Sequence, residues 1–484
     1  MTGSSSLSRP EHYDVVVIGS GIAGITAASR LAQGGRRVLI LEQHFQLGGL
    51  ATWFRRPGKE LFDISLHGFP VGMKKTVRKY WSRDLAQAII RLKRIRFSNP
   101  QFELETTFDQ PDFRRHLIET FGVDVATVDA FFDRLSNTEF YDESDETVGD
   151  LFEQYFPDRN DIVRFLMETI TYANGSTLTD PAKTYGIVFN NFAQDGIWTF
   201  GHDTNWIVKH LRQALRDRGV EVKRNTLVTQ ILLDDDRRVR GVATQAGEVF
   251  SADVVLSNAN VVTTVEELLP SGAVPDDFFH RAQSVRMNNA SCQVYLGIKE
   301  DTSIPDLGDI FFTSSCPTFD PVALSSKDVS SWTFSFYYPW HRPEHGRYSI
   351  VASLNANWDD WVHLDDQQYQ QDKTELVEKT LDWLERWIPD IRRKISHQEA
   401  ATPRTFYHYA RVRRGTSFGT KFEGLEVSQR LPQVIPGLYH AGSVGIIMSG
   451  WLGTANYGVI VASKIDQFLI ERDEALAKGV GEST

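Results

Sequence analysis

The stretch that decides the fold is residues 13–49, YDVVVIGSGIAGITAASRLAQGGRRVLILEQHFQLGG. Val15–Ile18 form a short apolar run of the kind found in a buried parallel strand. The glycine-rich turn at 19–24 follows, and apolar residues at helical spacing then continue from Ile25 to Leu31. Val38–Leu41 form a second buried apolar run. The stretch therefore predicts a strand, a tight turn, a helix and a second parallel strand.

The turn has the spacing G-x-G-x-x-G of a dinucleotide-binding site. The first glycine allows the tight turn, the second lets a pyrophosphate approach the backbone, and the third lets the helix pack on the strand. The helix N-terminus presents free N–H groups and a partial positive charge to the phosphates. Glu42 lies 18 positions after the last glycine, where an acidic residue binds ribose hydroxyls. The candidate phosphate-binding residues are Gly19, Gly21, Ile22, Ala23 and Gly24.

A second glycine pair distinguishes between the dinucleotides. The segment Glu42-Gln43 through Gly48-Gly49-Leu50 resembles the extended motif of glutathione-reductase-type FAD enzymes, in particular the amine oxidase and phytoene desaturase superfamily. The resemblance implies FAD, with Gln43, Gly48, Gly49 and Leu50 beside it. It also implies an α/β fold in which a glutathione-reductase-type Rossmann FAD-binding domain carries a discontinuous α+β substrate domain of mixed sheet and helices.

The resemblance continues along the chain. LFDISLHGF at 61–69 is similar to the F-D-x-G-x-H segment of the retinol saturase and carotenoid isomerase branch, which lies against the flavin. Residues 216–260, 401–419 and 435–465 resemble the second nucleotide-domain segment, the T-P segment and the closing motif. In the closing motif we expect a strand at Leu438–Ala441 and a helix that begins near 450–453. The implied FAD contacts are Val228, whose backbone meets the adenine, and His67, Asn258, Gly442, Ser443, Gly450, Trp451 and Leu452.

These matches divide the chain into alternating segments. We expect the FAD-binding domain at 10–73, 201–260 and 401–472, and the substrate domain at 74–200 and 261–400. The polar residues 473–484 are predicted to be a disordered tail.

Some positions depart from the family pattern. Ser443 stands where an Asp usually holds the ribityl chain or phosphates, and Leu50 stands where amine oxidases commonly have Arg. His202-Asp203 replaces a Gly-Gly pair of the desaturases. The chain has no second G-x-G-x-x-G for NADPH. Electrons would therefore leave to oxygen or a quinone, or there is no net redox change.

Composition excludes some function classes. A net charge of −11 argues against nucleic acid as a partner, because phosphate binding needs a basic surface. Cys292 and Cys316 are too few for a disulfide scaffold, and no Cys/His cluster has zinc spacing, so we expect no metal. The N-terminus lacks the apolar stretch of a secretion signal, and no window is apolar enough to span a bilayer. We expect a cytoplasmic protein.

Two segments suggest how the protein contacts its substrate. Residues 74–97 hold nine Lys/Arg, with Val77, Tyr80, Trp81, Leu85, Ile89 and Leu92 at helical spacing. This predicts a basic amphipathic helix that contacts a membrane surface or an acidic acyl carrier protein; the alternative is a solvated helical face. The aromatic-rich segments WTFSFYYPW and VASLNANW suit the wall of a tunnel for a polyene or acyl chain, or else belong to the core.

The leading hypothesis is an FAD-dependent oxidoreductase acting on C–C bonds of a long hydrophobic chain, as a desaturase, saturase or cis/trans isomerase. Carotenoid-like polyenes come first and a polyunsaturated acyl chain, carrier-bound or free, second. A flavin amine oxidase and a flavin-free prenyl-lipid binder of the GDP dissociation inhibitor type share the fold. The resemblance suggests His67, His408 and Tyr407 as candidate bases. Arg411, Arg413 and Arg414 could bind an anionic head group or the FAD phosphates, or form a solvated edge.

Overall fold

The computed structural model describes residues 11–56, 61–139, 144–343 and 346–481. The strands are, in chain order, β1 (His12–Ile18), β2 (Val38–Leu41), β3 (Trp53–Arg55), β4 (Leu61–Asp63), β5 (Phe69–Pro70), β6 (Ile89–Arg91), β7 (Ile95–Ser98), β8 (Glu103–Thr106), β9 (Ile197–Phe200), β10 (Glu221–Lys223), β11 (Val228–Leu233), β12 (Val239–Thr244), β13 (Val249–Ser257), β14 (Ala290–Ile298), β15 (Ile310–Ser314), β16 (Ser331–Tyr337), β17 (Ser349–Ala356), β18 (Ile395–Ala401) and β19 (Leu438–His440).

The α-helices are α1 (Ile22–Gln33), α2 (Gly72–Tyr80), α3 (Arg83–Gln87), α4 (Gln110–Arg115), α5 (Val125–Ser136), α6 (Val148–Tyr155), α7 (Asn160–Asn174), α8 (Ala182–Ala193), α9 (Thr204–Asp217), α10 (Val261–Thr263), α11 (Asp276–Gln283), α12 (Asp359–Val362), α13 (Asp366–Leu384), α14 (Ile391–Lys394), α15 (Pro403–Ala410), α16 (Glu423–Val434) and α17 (Gly450–Gly481). Short π-helical turns at His116–Thr120 and Thr264–Leu268 follow α4 and α10, and 3₁₀ turns lie at Ala323–Ser325 and Arg413–Gly415.

The first sheet draws its strands from three distant parts of the chain. Its order is β10-β2-β1-β13-β12-β11, and β19 pairs with β13. β10, β2, β1, β13 and β19 run parallel, whereas β12 and β11 add an antiparallel hairpin. Helices α1 and α17 pack against each other beside this sheet. This is the predicted Rossmann-type unit, and the β1–turn–α1–β2 prediction is confirmed.

The second sheet has the order β18-β14-β17-β16-β15-β7-β8. Its pairs are antiparallel apart from β7 with β15. One face packs on α13, and the helical lobe α4–α8 packs beside it around a phenylalanine-rich core. The mixed sheet with its helices confirms the predicted α/β class with an α+β second part.

Strand β16 shows which way the aromatic residues point. Trp332, Phe334 and Phe336 are buried in the core with residues of α13. Successive side chains of a strand alternate between faces, so Ser331, Thr333 and Ser335 lie on the opposite face. The aromatic residues of 332–338 therefore belong to the core, Trp340 is exposed, and the tunnel-wall hypothesis for this segment is wrong.

The basic segment 74–97 differs from the predicted single helix. Helix α2 ends at Tyr80, a short α3 follows, and β6 and β7 then begin at Ile89 and Ile95. Strands form here instead of a helix because β6 pairs with β9, and β7 pairs with β15 and β8. The backbone hydrogen bonds of this segment are therefore made to neighbouring strands rather than within a helix. Beyond Leu85 the helical spacing of the apolar residues does not correspond to a helix.

The predicted disordered tail is helical up to Gly481, because α17 continues through it. Asp473 accepts a hydrogen bond from Arg36 at 3.1 Å, and Arg472 lies 2.7 Å from Asp253, so ion pairs fix this part of the helix to the first sheet. Residues 482–484 lie outside the described part of the chain. Among the described helices, none combines the length and apolarity needed to cross a membrane.

Candidate functional site

The glycine turn after β1 forms a close-fitting cradle. A Cβ at Gly21 would lie 2.6 Å from the Asn258 side-chain oxygen, and one at Gly49 would lie 3.2 Å from Gly21 Cα. Gly49 has φ +62°, a conformation that favours glycine. Gly48 N–H donates to the Ser20 carbonyl at 2.9 Å, which brings the second glycine pair against the first. The two motifs thus form one surface of bare backbone.

Glu42 holds this turn in place. At the end of β2 its carboxylate accepts hydrogen bonds from the Ser20 N–H at 2.8 Å and the Ser20 hydroxyl at 2.6 Å. Its other oxygen accepts from the His44 N–H at 2.7 Å. The side chain is buried in the protein yet lines the cavity, and a carboxylate oxygen has further lone pairs for ribose hydroxyls.

The closing motif completes the cradle from the opposite side. Asn258, at the end of β13, donates to the Ala441 carbonyl at 2.5 Å. Beyond β19 the chain turns through Ser443, and α17 begins at Gly450, as predicted. Trp451 in its first turn donates to the Ser65 carbonyl at 3.1 Å. A helix N-terminus with its partial positive charge therefore borders the cavity.

These elements enclose a cavity of about 1990 Å³. Ligand pockets usually measure about 300–1,000 Å³, so the space exceeds what one ligand needs. One part is lined by the glycine cradle and the α17 N-terminus. The other part enters the helical lobe, where its apolar lining includes Phe108, Ile170, Val188, Phe192, Ile310 and Phe312.

His67 lies where the two parts of the molecule meet. Its Nδ1 is 2.8 Å from the Ser335 hydroxyl, and its Nε2 is 3.1 Å from the Ser353 hydroxyl. The Gln293 amide is 3.4 Å from Nε2, and Tyr295 donates its hydroxyl proton to the Gln293 side-chain oxygen. Burial lowers the pKa of His67 to about 4, so the imidazole is neutral at pH 7.

The segment before His67 ties it to the cradle. Ser65 donates its hydroxyl proton to the Leu50 carbonyl at 2.9 Å, and Gln293 donates to the Ile64 carbonyl at 2.8 Å. Asp63 points elsewhere: it accepts from the Thr204 N–H at 2.7 Å and lies 3.5 Å from buried Arg342. Burial raises the pKa of Asp63. Asp63 is thus a structural residue, whereas His67 faces the cavity.

The other sequence-predicted residues fall into three groups. Gln43, Leu50, Val228, Asn258, Ser443, Trp451 and Leu452 line the same cavity as Gly19, Gly21, Ile22, Ala23, Gly48 and Gly450. Gly24 and Gly442 lie behind it: a Cβ at Gly24 would be 2.6 Å from the Gly19 carbonyl oxygen, and one at Gly442 would be 3.1 Å from His440 Nε2.

Tyr407 and His408 form the third group, on the exposed face of α15 at the cavity edge. Tyr407 packs on Trp358 with ring centres 5.4 Å apart, and His408 packs on Tyr409. The structure does not bring them together with His67, which is held by the second sheet.

The arginine run has other partners. Arg413 pairs with Glu266 at 2.7 Å, and Arg414 pairs with Asp359 at 2.5 Å. Both are partly exposed. Their charges are already balanced by carboxylates, which favours the solvated-edge alternative over anion binding for these two residues.

A known family model matches most of this chain. Residues 22–456 match the family model described as flavin containing amine oxidoreductase. The chain is a member of this family. Two similar proteins are the all-trans-retinol 13,14-reductase of Danio rerio, 24% identical over 94% of this chain and 86% of that protein, and the chloroplastic prolycopene isomerase of Daucus carota, 23% identical over 95% and 81%. An inactive all-trans-retinol 13,14-reductase of Danio rerio is also 23% identical.

Solved structures agree on the fold of this flavin oxidoreductase. An oxidoreductase from Methanosarcina mazei superposes with a TM-score of 0.65 at 15% identity, covering 94% of this chain and 100% of that one. A redesigned putrescine oxidase gives a TM-score of 0.65 at 13% identity, covering 94% and 99%. The fold is therefore that of flavin-dependent amine oxidases.

Sequence reasoning missed the residues around His67. Ser335, Ser353 and Gln293 come from three adjacent strands of the second sheet. A signal was present: Ser331, Thr333 and Ser335 alternate with aromatic residues, which indicates a strand with one polar and one apolar face. In a strand buried on both sides, the polar face must meet partners or a ligand.

Proposed function

We propose that the protein is an FAD-dependent oxidoreductase that acts on C–C bonds of a long hydrophobic chain, by desaturation, saturation or cis/trans isomerisation. The observation that carries this proposal is the continuity of the cavity, which runs from the glycine cradle into an apolar interior. The similarity to proteins named for retinol reduction and prolycopene isomerisation supports a polyene-like substrate.

FAD fits the cradle because bare backbone at Gly21 and Gly49 leaves room that a Cβ would fill. The backbone at 19–23 would hold the pyrophosphate, Glu42 the ribose, and Val228 the adenine. Ser443 and the first turn of α17 would border the ring. When bound, FAD supplies acceptance or donation of a hydride at the substrate carbon.

His67 is proposed to contact the reacting part of the substrate. Its neutral imidazole has one N–H and one lone pair, and the Ser335 and Ser353 hydroxyls contact the two ring nitrogens and fix its orientation. It can accept a proton from a carbon or return one while the hydroxyls compensate the change. Tyr407 and His408 lie at the exposed edge, so we assign them no part in proton transfer.

A polyunsaturated acyl chain, free or on an acidic carrier protein, is the second candidate substrate. The exposed basic face of α2 favours it, since Lys74, Lys75, Arg78 and Lys79 have no ion pair among the described residues and could bind an acidic carrier or a lipid surface. If the reaction has a net redox change, oxygen or a quinone is the proposed electron acceptor. An amine substrate and a flavin-free lipid-binding role remain alternatives that the next experiment separates.

The test is anaerobic mixing of the flavin-loaded protein with all-trans-retinol, prolycopene, a polyunsaturated fatty acid and putrescine. The oxidised protein and the protein reduced with dithionite are both tested. With a polyene or acyl chain we expect bleaching of the oxidised flavin for desaturation, return of the flavin absorbance of the reduced protein for saturation, or geometric isomers on chromatography with no net change of the flavin. Bleaching by putrescine alone would contradict the proposal in favour of amine oxidation. A folded protein that takes up no flavin would support the lipid-binding alternative.

A further inference from the structure

The inner part of the cavity contains buried hydroxyl groups that lack partners. Thr169 and Tyr172 on α7 and Thr333 on β16 all line the cavity, and each is at most 9% exposed. The Tyr172 hydroxyl has the Ser331 side chain beside it, but none of the three hydroxyl oxygens makes a hydrogen bond of good geometry within the described part of the chain. A buried hydroxyl left unpaired is unfavourable, so three in one cavity indicate that this part of the cavity binds a polar group.

Packing brings these three residues to one place. Thr333 lies opposite Phe312 in the β15–β16 pair, and directly opposed side chains lie on the same face of a sheet. The Phe312 ring in turn contacts the Tyr172 ring, with centres 5.9 Å apart. Thr169 is one helical turn before Tyr172 on the same side of α7. Asn355 on β17 donates to the Thr171 carbonyl at 3.4 Å and fixes α7 over the sheet.

The charges around the pocket determine which polar group it can bind. Arg164, the nearest cation on α7, is fully buried and is already bonded to Glu168 at 3.1 Å and to the Gln101 oxygen at 3.0 Å. The cations that line the cavity, Arg55, Arg56, Lys373, Arg404, Arg411 and Arg413, belong to other elements. A carboxylate here would be desolvated beside Glu168 without a cation of its own, which is unfavourable.

We propose that Thr169, Tyr172 and Thr333 form a polar pocket that binds a neutral oxygen group, a hydroxyl or carbonyl, on the substrate chain. This inference rests on the proposed function, since it assumes that the cavity takes a long apolar chain. Threonine and tyrosine hydroxyls both donate and accept, so they suit either group. The pocket would select oxygen-bearing chains over pure hydrocarbons and over free acids, and it would set how far a chain enters past His67.

The experiment measures binding rather than turnover. Equilibrium dialysis of the flavin-loaded protein, with cyclodextrin as carrier, compares radiolabelled hexadecanol, hexadecane and hexadecanoate. The variants Thr169→Val and Thr333→Val keep the side-chain volume, and Tyr172→Phe removes only the hydroxyl. We expect hexadecanol to bind tightest to the wild type and each variant to weaken it about five-fold, with hexadecane unchanged.

Thr199→Val is the matched control, because Thr199 is also buried with an unpartnered hydroxyl but does not line the cavity. It should leave hexadecanol binding unchanged. Three results would overturn the polar pocket while leaving the chain-binding function intact. They are equal affinity for hexadecanol and hexadecane, a preference for hexadecanoate, and unchanged hexadecanol binding when all three substitutions are combined in one protein. Failure of all three probes to bind would overturn the chain-binding function and this inference together.

Discussion

Two histidines in this protein, buried His440 and half-buried His67, have different surroundings. His440 is 1% exposed, and its ring lies 2.9 Å from the Ala259 carbonyl and 2.7 Å from the Ser428 hydroxyl. The carbonyl only accepts, so Nε2 carries the proton. His67 instead lies between two hydroxyls at the cavity wall. Burial lowers the pKa of both imidazoles to about 4. The difference between them lies in their contacts: His440 is enclosed by the protein, whereas His67 is placed to contact a substrate.

The lowered pKa of His67 predicts acid sensitivity. Between pH 6.5 and 4 the unfolded chain binds a proton at this histidine and the folded protein does not, so stability falls as the pH falls. His67→Gln keeps hydrogen bonding but removes the titration. Between pH 7 and pH 5 we expect the unfolding free energy of the wild type to fall by about 2 kcal/mol more than that of the variant. Urea unfolding with saturating FAD measures this difference.

His363→Gln, which replaces an exposed imidazole, should follow the wild type over the same range. If His67→Gln loses stability in parallel with the wild type, His67 is not neutral as described.

The sequence allows prediction of residues whose role depends on local backbone. Gly21 and Glu42 follow from their spacing within one turn, since phosphate binding there needs a fixed backbone path. Ser353 and Gln293 do not, because strand pairing between distant segments brings them to His67. The exposure of His408 on α15 does not follow from its sequence motif either, because it depends on which face of that helix packs against the sheet.

Among the elements, α2 carries the most concentrated exposed charge. Met73 and Val77 are fully buried, and Thr76 donates to Asn456 of α17 at 2.8 Å, so one face is fixed to the flavin-binding part. The opposite face presents exposed Lys and Arg. The cations of β6 and β7 differ, because Arg91 pairs with Asp109 at 2.6 Å and Arg96 with Glu103 at 2.5 Å. The basic segment 74–97 thus consists of the exposed basic helix α2, the short α3 and two strands whose arginines are ion-paired.

Neutralising this face tests whether it binds an anionic surface. We expect the quadruple change of Lys74, Lys75, Arg78 and Lys79 to Gln to weaken binding to phosphatidylserine vesicles more than about tenfold at low salt, since each basic residue near such a surface contributes about 1 kcal/mol. Sedimentation with vesicles measures this.

The control changes four exposed cations elsewhere to Gln: Lys209, Arg240, Arg393 and Lys464. This control should retain binding. Equal vesicle binding by the quadruple variant and the wild type would contradict the lipid-surface role, and loss of binding to an acidic acyl carrier protein in the same variant would support the carrier alternative.

At the scale of the whole molecule, the cavity exists only because distant segments converge. Segments 12–41, 221–257 and 438–440 supply the first sheet, and the second sheet contributes the wall with His67. Local patterns predict each segment of the first sheet, because each has its own strand and turn signals. The register of the second sheet depends on strand pairing between segments that are hundreds of residues apart. One sequence does not predict this register, and so it does not predict which polar face of the sheet lies toward the cavity.

Flavin absorbance after reconstitution with FAD and gel filtration tests whether the glycine cradle forms a flavin site. We expect the wild type to retain flavin and Gly21→Val to remain folded by circular dichroism but colourless, because its side chain would collide with Asn258 and occupy the phosphate path. Ala130→Val, on the exposed face of α5, controls for an added valine and should stay yellow. Flavin retained equally by Gly21→Val, or a folded wild type that stays colourless, would contradict the account.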